Sequence, residues 1–107
     1  MFKMQKTEIL IVGTNESIMK TIARLIDSNE KWLATIAFSM DEAVHICFSR
    51  KFDLALICAG LEKDEERILT EKLKHLWPNL PVVRHYGGGS GLLYTEIYQG
   101  LESSYIF

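Results

Sequence analysis

Few side chains in this sequence of 107 residues could do chemistry, and the foremost is the thiol of Cys58. Cys58 ends the apolar run FDLALIC, where a buried cysteine usually serves as a small hydrophobic residue. A reactive thiol needs a nearby cation to lower its pKa, and His85, at the end of another apolar run, is the candidate. The sequence therefore leaves two alternatives, a packing cysteine and a thiol that senses oxidants or acyl donors.

A glycine-rich run, GGGSG at residues 87–91, could also carry a function. Strand, glycine loop and helix in that order can cradle phosphate groups. However, no Gly-Lys-Ser/Thr follows the run, and no G-x-G-x-x-G spacing with a downstream acidic residue is present. Nucleotide binding, a flexible connection across a deletion and an engineered linker remain the alternatives.

The other candidate groups do not form sites by their spacing. Cys47 and Cys58 show no paired spacing, and His45 and His75 have no ligand partner four residues away. Four acidic residues within 62–66 are placed to complement the free amides at a helix start. We therefore predict no metal and no cofactor. We also expect no enzyme, since no nucleophile with an adjacent base and orienting group can be assembled.

Composition indicates one soluble globular domain that covers residues 1–107. The chain is 48% hydrophobic and 24% charged, with a net charge of -2, which gives no attraction to nucleic acid or to an anionic membrane. No signal-peptide pattern opens the sequence, and no apolar run approaches the ~20 residues of a membrane-spanning helix. We expect a cytoplasmic protein whose partners are neither nucleic acid nor membrane.

Apolar runs alternate with helical patterns along the chain, and this alternation predicts a parallel sheet with helices on both faces. The run at residues 8–12 is apolar after its first residue, which is typical of a central strand buried on both sides. Thr14 or Asn15 could cap the first helix, and Ser39 and Glu42 form a capping-box pattern before the second. The predicted strands are 8–12, 33–37, 52–59 and 82–86, and the predicted helices are 17–28, 39–49, 64–76 and 91–102.

Residues 8–86 resemble a response-regulator receiver domain in the order and wording of these segments. The stretches that carry the resemblance are ILIV at 9–12, AFSMDEAVHI at 37–46, FDLALI at 52–57 and LWPNLPVV at 76–83. The resemblance implies a flavodoxin-like, three-layer αβα sandwich that takes part in two-component signalling. Such domains usually receive a phosphoryl group from a phosphorelay.

The family's functional residues are missing from the matching positions. Receivers follow the first strand with two carboxylates that hold Mg²⁺, and here Gly13 and Thr14 stand there. Cys58 takes the place of the phosphoryl-accepting aspartate, Tyr86 that of the sensing hydroxyl, and no Lys-Pro step follows Pro81. Because Mg²⁺ needs oxygen ligands and phosphoryl transfer needs that metal, the resemblance implies a degenerate pseudo-receiver.

The end of the chain departs furthest from the family. A receiver continues after its fourth strand with a helix, a strand and another helix, which takes roughly 40 residues. Only 21 residues follow Tyr86, enough for the predicted helix and a short stub at 103–107. We therefore expect a fold truncated or altered after the fourth strand. That strand would become a sheet edge, which Arg84 helps to protect.

The last helix has an unusually broad apolar face. Leu93, Ile97 and Leu101 form one row at helical spacing, and Tyr94 and Tyr98 form an adjacent row. One row is sufficient to dock the helix, so the tyrosine row could contact another protein, because tyrosine combines apolar area with a polar tip. The alternative is that both rows cover the sheet. The predicted interaction residues are Tyr94, Tyr98, Leu101 and Tyr105.

Two functional hypotheses follow from the sequence. The first is a non-phosphorylatable signalling module that self-associates as a homodimer or docks on a protein partner through the last helix and the sheet edge. The second is a small-ligand, anion or redox sensor that uses the vestigial pocket around Gly13, Thr14, Cys58 and the glycine loop.

Overall fold

Four parallel strands form one sheet in the computed structural model, which describes residues 6–85 and 90–103. Strands and helices alternate along the chain, as the apolar patterning predicts. The strands are β1 (Thr7–Val12), β2 (Trp32–Ala37), β3 (Leu54–Ile57) and β4 (Val82–Arg84), and the helices are α1 (Glu16–Asp27), α2 (Met40–Ser49), α3 (Lys63–Leu76) and α4 (Ser90–Ser103).

The strand order across the sheet is β2-β1-β3-β4, and each neighbouring pair is parallel. The prediction that residues 8–12 form an interior strand is confirmed, because β1 pairs with β2 on one side and with β3 on the other. Residues 9–12 of β1 are completely buried. A strand that is covered by helices on both faces has no polar side, which explains its continuous apolar run.

Two layers of helices cover the sheet, one on each face. Helices α1 and α4 pack on one face, and α2 and α3 pack on the other. Each face has its own buried cluster. The α1–α4 cluster is built on Ile9, Ile11, Leu54, Leu56, Leu93 and Ile97, and the α2–α3 cluster is built on Leu10, Val12, Ala55, Ile57, Leu69 and Leu73.

The predicted helix caps are found with one difference. The Asn15 carboxamide oxygen accepts a hydrogen bond from the Ile18 amide at 2.9 Å, and the Ser39 hydroxyl accepts one from the Glu42 amide at 3.1 Å. The Glu42 carboxylate, however, accepts from the amide of Phe38 at 2.7 Å rather than from that of Ser39. Glu42 therefore caps the amide of the residue before the N-cap, one residue earlier than in the usual capping box.

Strands β3 and β4 are shorter than predicted. The third run was expected to span 52–59, but ladder pairing with β1 joins Leu54–Ile57 to residues 9–12. The fourth was expected to span 82–86, but it ends at Arg84, where its pairing with β3 ends. The His85 amide still donates to the carbonyl of Ile57 at 2.8 Å. The apolar runs extend beyond both strands because Phe52 and Cys58 beside β3 and His85 after β4 are also buried.

Helix α4 lies on the same face as α1, which places it within the fold. The right-handed crossovers from β2 to β3 and from β3 to β4 run in one direction across the sheet and put α2 and α3 on one face. A helix that led from β4 to a further strand beyond it would lie on the same face as α2 and α3. Because α4 lies on the opposite face, it packs as a helix that ends the sheet rather than as a crossover to another strand. Within the described residues, β4 is therefore a sheet edge.

Arg84, predicted to protect this edge, forms an ion pair with α3. Its guanidinium lies 3.0 Å from the Glu66 carboxylate, so the pair links the edge strand to the helix that packs on that face. None of the described helices combines the length and the apolar composition that a membrane crossing requires.

Candidate functional site

The carboxyl ends of the four strands meet at one edge of the sheet, and the candidate residues lie there. Gly13 follows β1, Cys58 follows β3 and His85 follows β4. The chain leaves β1 toward β2 on one side, while β3 lies on the other, so a crevice is expected between β1 and β3. The sheet therefore brings the predicted residues Gly13, Thr14 and Cys58 to the point where an open α/β sheet usually binds its ligand.

Side chains already occupy the space around Gly13. A Cβ atom at this position would lie 2.6 Å from the Met19 sulfur, 3.0 Å from the Ala59 carbonyl oxygen and 3.3 Å from the Cβ of Cys58. Gly13 is buried, and its amide donates to the carbonyl of Ala37 at 3.1 Å. A larger residue at position 13 would require Met19 to move, and a carboxylate there would face a thioether and a thiol.

The loops that follow β1 and β3 are also in contact. Gly60 adopts φ +110°, a conformation that favours glycine, and a Cβ atom there would lie 2.0 Å from the hydroxyl oxygen of Thr14. Thr14 itself is exposed. Gly13 and Thr14 were predicted to stand where receivers place two carboxylates; Gly13 is buried under Met19, and Thr14 is at the surface beside Gly60.

The Cys58 side chain is buried and protonated. Its residue exposure is 3%, and the thiol lies 3.9 Å from the Leu56 carbonyl, to which it can donate only weakly. Burial, together with the smaller effect of the Glu96 carboxylate, raises the pKa of the Cys58 thiol to about 12. A thiol with this pKa is a poor nucleophile and a poor ligand for a hard cation at neutral pH.

His85 pairs with a carboxylate of α4. Its side chain is 1% exposed, and Nδ1 lies 2.5 Å from the Glu96 Oε1 atom, so an imidazole N–H donates to the carboxylate. The other ring nitrogen, Nε2, is buried and has no hydrogen-bond partner within the described residues. The pair joins the edge strand to the last helix inside the buried layer.

A thiol, an imidazole and a carboxylate therefore come together, a grouping that the sequence analysis did not expect. His85 was considered only as a cation that could activate Cys58. In the structure its imidazole faces Glu96, whose negative charge makes the thiol harder to deprotonate. The grouping is thus polar packing within the core, and it opposes the activation that a redox-sensing thiol would need.

Glu96 is the residue that sequence reasoning missed. It lies three residues after Leu93 and four before Gly100, on the inward row of α4. A carboxylate on an apolar row needs a buried partner, and that requirement was the available signal. Finding the partner required knowing that α4 packs against β4, which the sequence left undecided.

The predicted interaction residues of α4 differ in their surroundings. Leu101 packs at the margin of the α1–α4 cluster, and the Tyr94 hydroxyl donates to the Leu25 carbonyl at 3.2 Å. Tyr98 is 53% exposed, and its ring lies against the buried Trp32 with 5.1 Å between centroids. Tyr94 therefore helps to dock the helix, and Tyr98 presents one side of its ring to the surface.

Several predicted features lie outside the described residues, namely Tyr86, the glycines 87–89 and Tyr105. Within residues 6–85 and 90–103, no group of three or more His, Cys, Asp and Glu side chains is placed to hold a metal ion.

Solved structures similar to this chain include receiver domains. A CheY-like response regulator receiver domain protein from Methanospirillum hungatei JF-1 superposes with a TM-score of 0.68 at 22% identity, covering 90% of this chain and 76% of that one. The signal receiver domain of an HD domain-containing protein from Pseudomonas fluorescens Pf-5 gives 0.73 at 17% identity, covering 98% and 93%. NtrX from Brucella abortus, solved with ADP, gives 0.74 at 23% identity, covering 95% of this chain and 28% of that one.

Neither a protein-family model nor a curated protein sequence matches this chain. Identities of 17–23% to these solved structures establish the fold alone. The predicted fold class is confirmed, and the chain has a receiver-like α/β fold with a parallel sheet.

We predict that Glu96→Ala lowers the free energy of unfolding by about 1–3 kcal/mol, because it leaves the buried His85 imidazole without an acceptor. Glu96→Gln should lose less, since its amide oxygen can still accept. Urea denaturation measures both, with Glu102→Ala at an exposed site of the same helix as the control. Equal effects at positions 96 and 102 would contradict the pairing.

We predict that Cys58 does not react with Ellman's reagent in the folded protein at pH 8, because its thiol is buried with a pKa of about 12. Since this pKa exceeds the 9.0 of an unburied thiol, the folded state keeps the Cys58 proton at pH values where the unfolded state loses it. The contribution of the Cys58 thiol to the free energy of unfolding is therefore fully present below pH 9.0. It is lost as the pH rises toward about 12.

The Cys47→Ala variant isolates Cys58 for this measurement. Rapid labelling of Cys58 in the native state, or an unchanged alkaline loss of stability after a further Cys58→Ala substitution, would contradict this account of the thiol.

Proposed function

We propose that this chain is a receiver-like signalling module that has lost the usual phosphorylation switch and acts by contacting another protein. The observation that carries the proposal is the packing at the carboxyl edge of the sheet. The resemblance aligns Gly13, Thr14 and Cys58 with the positions where a receiver holds Mg²⁺ and accepts a phosphoryl group. Met19 and Cys58 occupy the space beside Gly13. The solved receiver domains with the same fold support a role in signalling.

The chemistry of phosphoryl transfer supports the loss of the switch. Transfer depends on a metal that bridges the phosphate oxygens and neutralises the developing charge. Mg²⁺ requires oxygen ligands at close to octahedral geometry. Gly13 offers no side-chain oxygen, and the Cys58 thiol stays protonated because its pKa is raised to about 12. The hydroxyl of Thr14 is then the one side-chain oxygen of these three positions.

The structure of α4 supports the contact surface. Leu93 and Ile97 are completely buried and dock the helix, and the Tyr94 hydroxyl fixes it to α1. Tyr98 therefore rests on a rigid base formed by Trp32, with half of its surface exposed. A preordered aromatic ring loses little conformational entropy on binding, which is why tyrosines are enriched at protein interfaces.

No observation favours the alternative of a small-ligand or redox sensor. The crevice at which a ligand would bind contains the side chains of Met19 and Cys58. The pKa of that thiol is shifted away from reactivity.

We predict that the protein forms no phosphoryl adduct with acetyl phosphate and Mg²⁺, as measured by intact mass. An active receiver domain serves as the positive control. Cys58→Asp restores the acceptor carboxylate alone and should also remain unmodified, because positions 13 and 14 still provide no carboxylate for the metal. A Mg²⁺-dependent adduct on the unaltered chain would overturn the loss of the switch.

We predict that a photo-crosslinking amino acid at position 98 captures a protein partner in cells that naturally contain this protein. The same amino acid at position 63, an exposed site at the start of α3 on the opposite face, is the matched control. The expected result is a discrete adduct from position 98 that position 63 does not give. Identical adducts from both positions, or none from position 98, would argue against this surface.

A further inference from the structure

An apolar groove runs between α2 and α3, on the face of the molecule opposite α4. Its volume is about 400 Å³, and its apolar walls come from Val44 and Phe48 of α2 and Leu76 of α3. Phe48 is 69% exposed, the highest exposure among the large hydrophobic side chains of the described residues. An exposed phenylalanine beside an open apolar groove loses the stabilisation that its burial would give.

The rim of the groove carries two basic groups. Lys72 and His75 lie three residues apart on α3 and line the groove together. Neither has an ion pair or a side-chain hydrogen bond within the described part of the chain. The neighbouring Glu71 is already paired with Arg67 at 3.3 Å. The groove thus suits an occupant that carries a large apolar group and, close to it, a carboxylate that can reach Lys72 and His75.

Helix α2 of this chain carries that combination. Asp41, Val44 and Phe48 lie on one stripe of the helix, since residues three, four and seven apart share a face. Asp41 is exposed and has no ion pair within the described residues. Its Cα lies about 10 Å from that of Phe48, at a rise of about 1.5 Å per residue. The stripe therefore presents a carboxylate at one end and a phenyl ring at the other.

We propose that the groove binds a second copy of this chain, with the two α2 helices packed antiparallel about a two-fold axis. An axis between Val44 and His45 places position 41 of one copy opposite position 48 of the other. Phe48 of each copy then enters the groove of its partner. Asp41 of each copy meets Lys72 and His75 beside that groove, so each contact occurs twice.

The dimer extends the proposed function, because it uses the other face of the sheet. Helices α2 and α3 form the interface, and α4 with Tyr98 stays accessible on each copy. The dimer would present two copies of the α4 surface to a partner, which increases avidity for a partner that is itself paired. An experiment can disprove the dimer without disproving the α4 contact, and the reverse, because the two surfaces share no residue.

Light scattering and sedimentation velocity over a wide concentration range test the dimer with the full chain. We expect a dimer that Phe48→Ala weakens by about tenfold or more, since each copy loses a buried phenyl ring. Leu92→Ala is the matched control, because Leu92 is 56% exposed on α4, outside the groove, and should leave the dissociation constant unchanged. A monomer at all concentrations, or a dimer unaffected by Phe48→Ala, would overturn the proposal.

Charge reversal tests the orientation of the two copies. Asp41→Lys and Lys72→Asp should each weaken the dimer, and the double variant should restore it, because the opposite charges meet again across the interface. Circular dichroism checks that each variant is folded. Failure of the double variant to restore the dimer would exclude this arrangement. If Tyr98→Asp breaks the dimer while Phe48→Ala does not, the interface is α4, so the groove proposal fails and the α4 contact stands.

Discussion

The contact between His85 and Glu96 sets the rotation of α4, and much of the remaining structure depends on that rotation. Without α4, one face of β3 and β4 would expose Leu54 and Leu56 to solvent. The buried pair requires Glu96 to face inward, which also turns Leu93 and Ile97 toward the sheet. Gly100 then passes so close that a Cβ atom would lie 2.7 Å from Leu54 and 2.8 Å from Val83. Since successive residues are turned by about 100°, Tyr98 lies at the side of the helix, where its ring contacts Trp32 and remains half exposed.

The same contact governs the chemistry at the carboxyl edge of the sheet. A carboxylate within the core layer needs a hydrogen-bond donor beside it, and the imidazole of His85 supplies one. Cys58 lies in the same layer and stays neutral, because burial and the Glu96 charge both oppose a thiolate. The residue that the receiver resemblance aligns with the phosphoryl acceptor therefore packs as a hydrophobic group. Gly13 is required by this packing, since Met19 covers the space that any side chain would enter.

Local patterns of the sequence predicted most of the fold, and long-range contacts explain what they missed. Periodicity identified all four strands, all four helices and the row of Leu93 and Ile97, because these depend on which residues repeat along one segment. The ends of β3 and β4 depend on their partners, so the apolar runs extended past them. The link from Glu96 to His85 and the bond from Tyr94 to Leu25 depend on the face to which α4 packs. Gly13, Thr14 and Cys58 were expected together, but the Met19 side chain beside them could not be foreseen.

Under the proposed function, this receiver-like fold responds to something other than a covalent change. A ligand shifts an equilibrium only as far as its affinity differs between two states, and among the described residues the space beside Gly13 already contains Met19 and Cys58. Binding to a partner or to a second copy remains available, because mass action links occupancy to concentration. The groove on α2 and α3 and the exposed Tyr98 on α4 would place the two proposed contacts on opposite faces of one sheet. Under the proposed function, the amount of protein in the cell, rather than its modification, would set the fraction that is assembled.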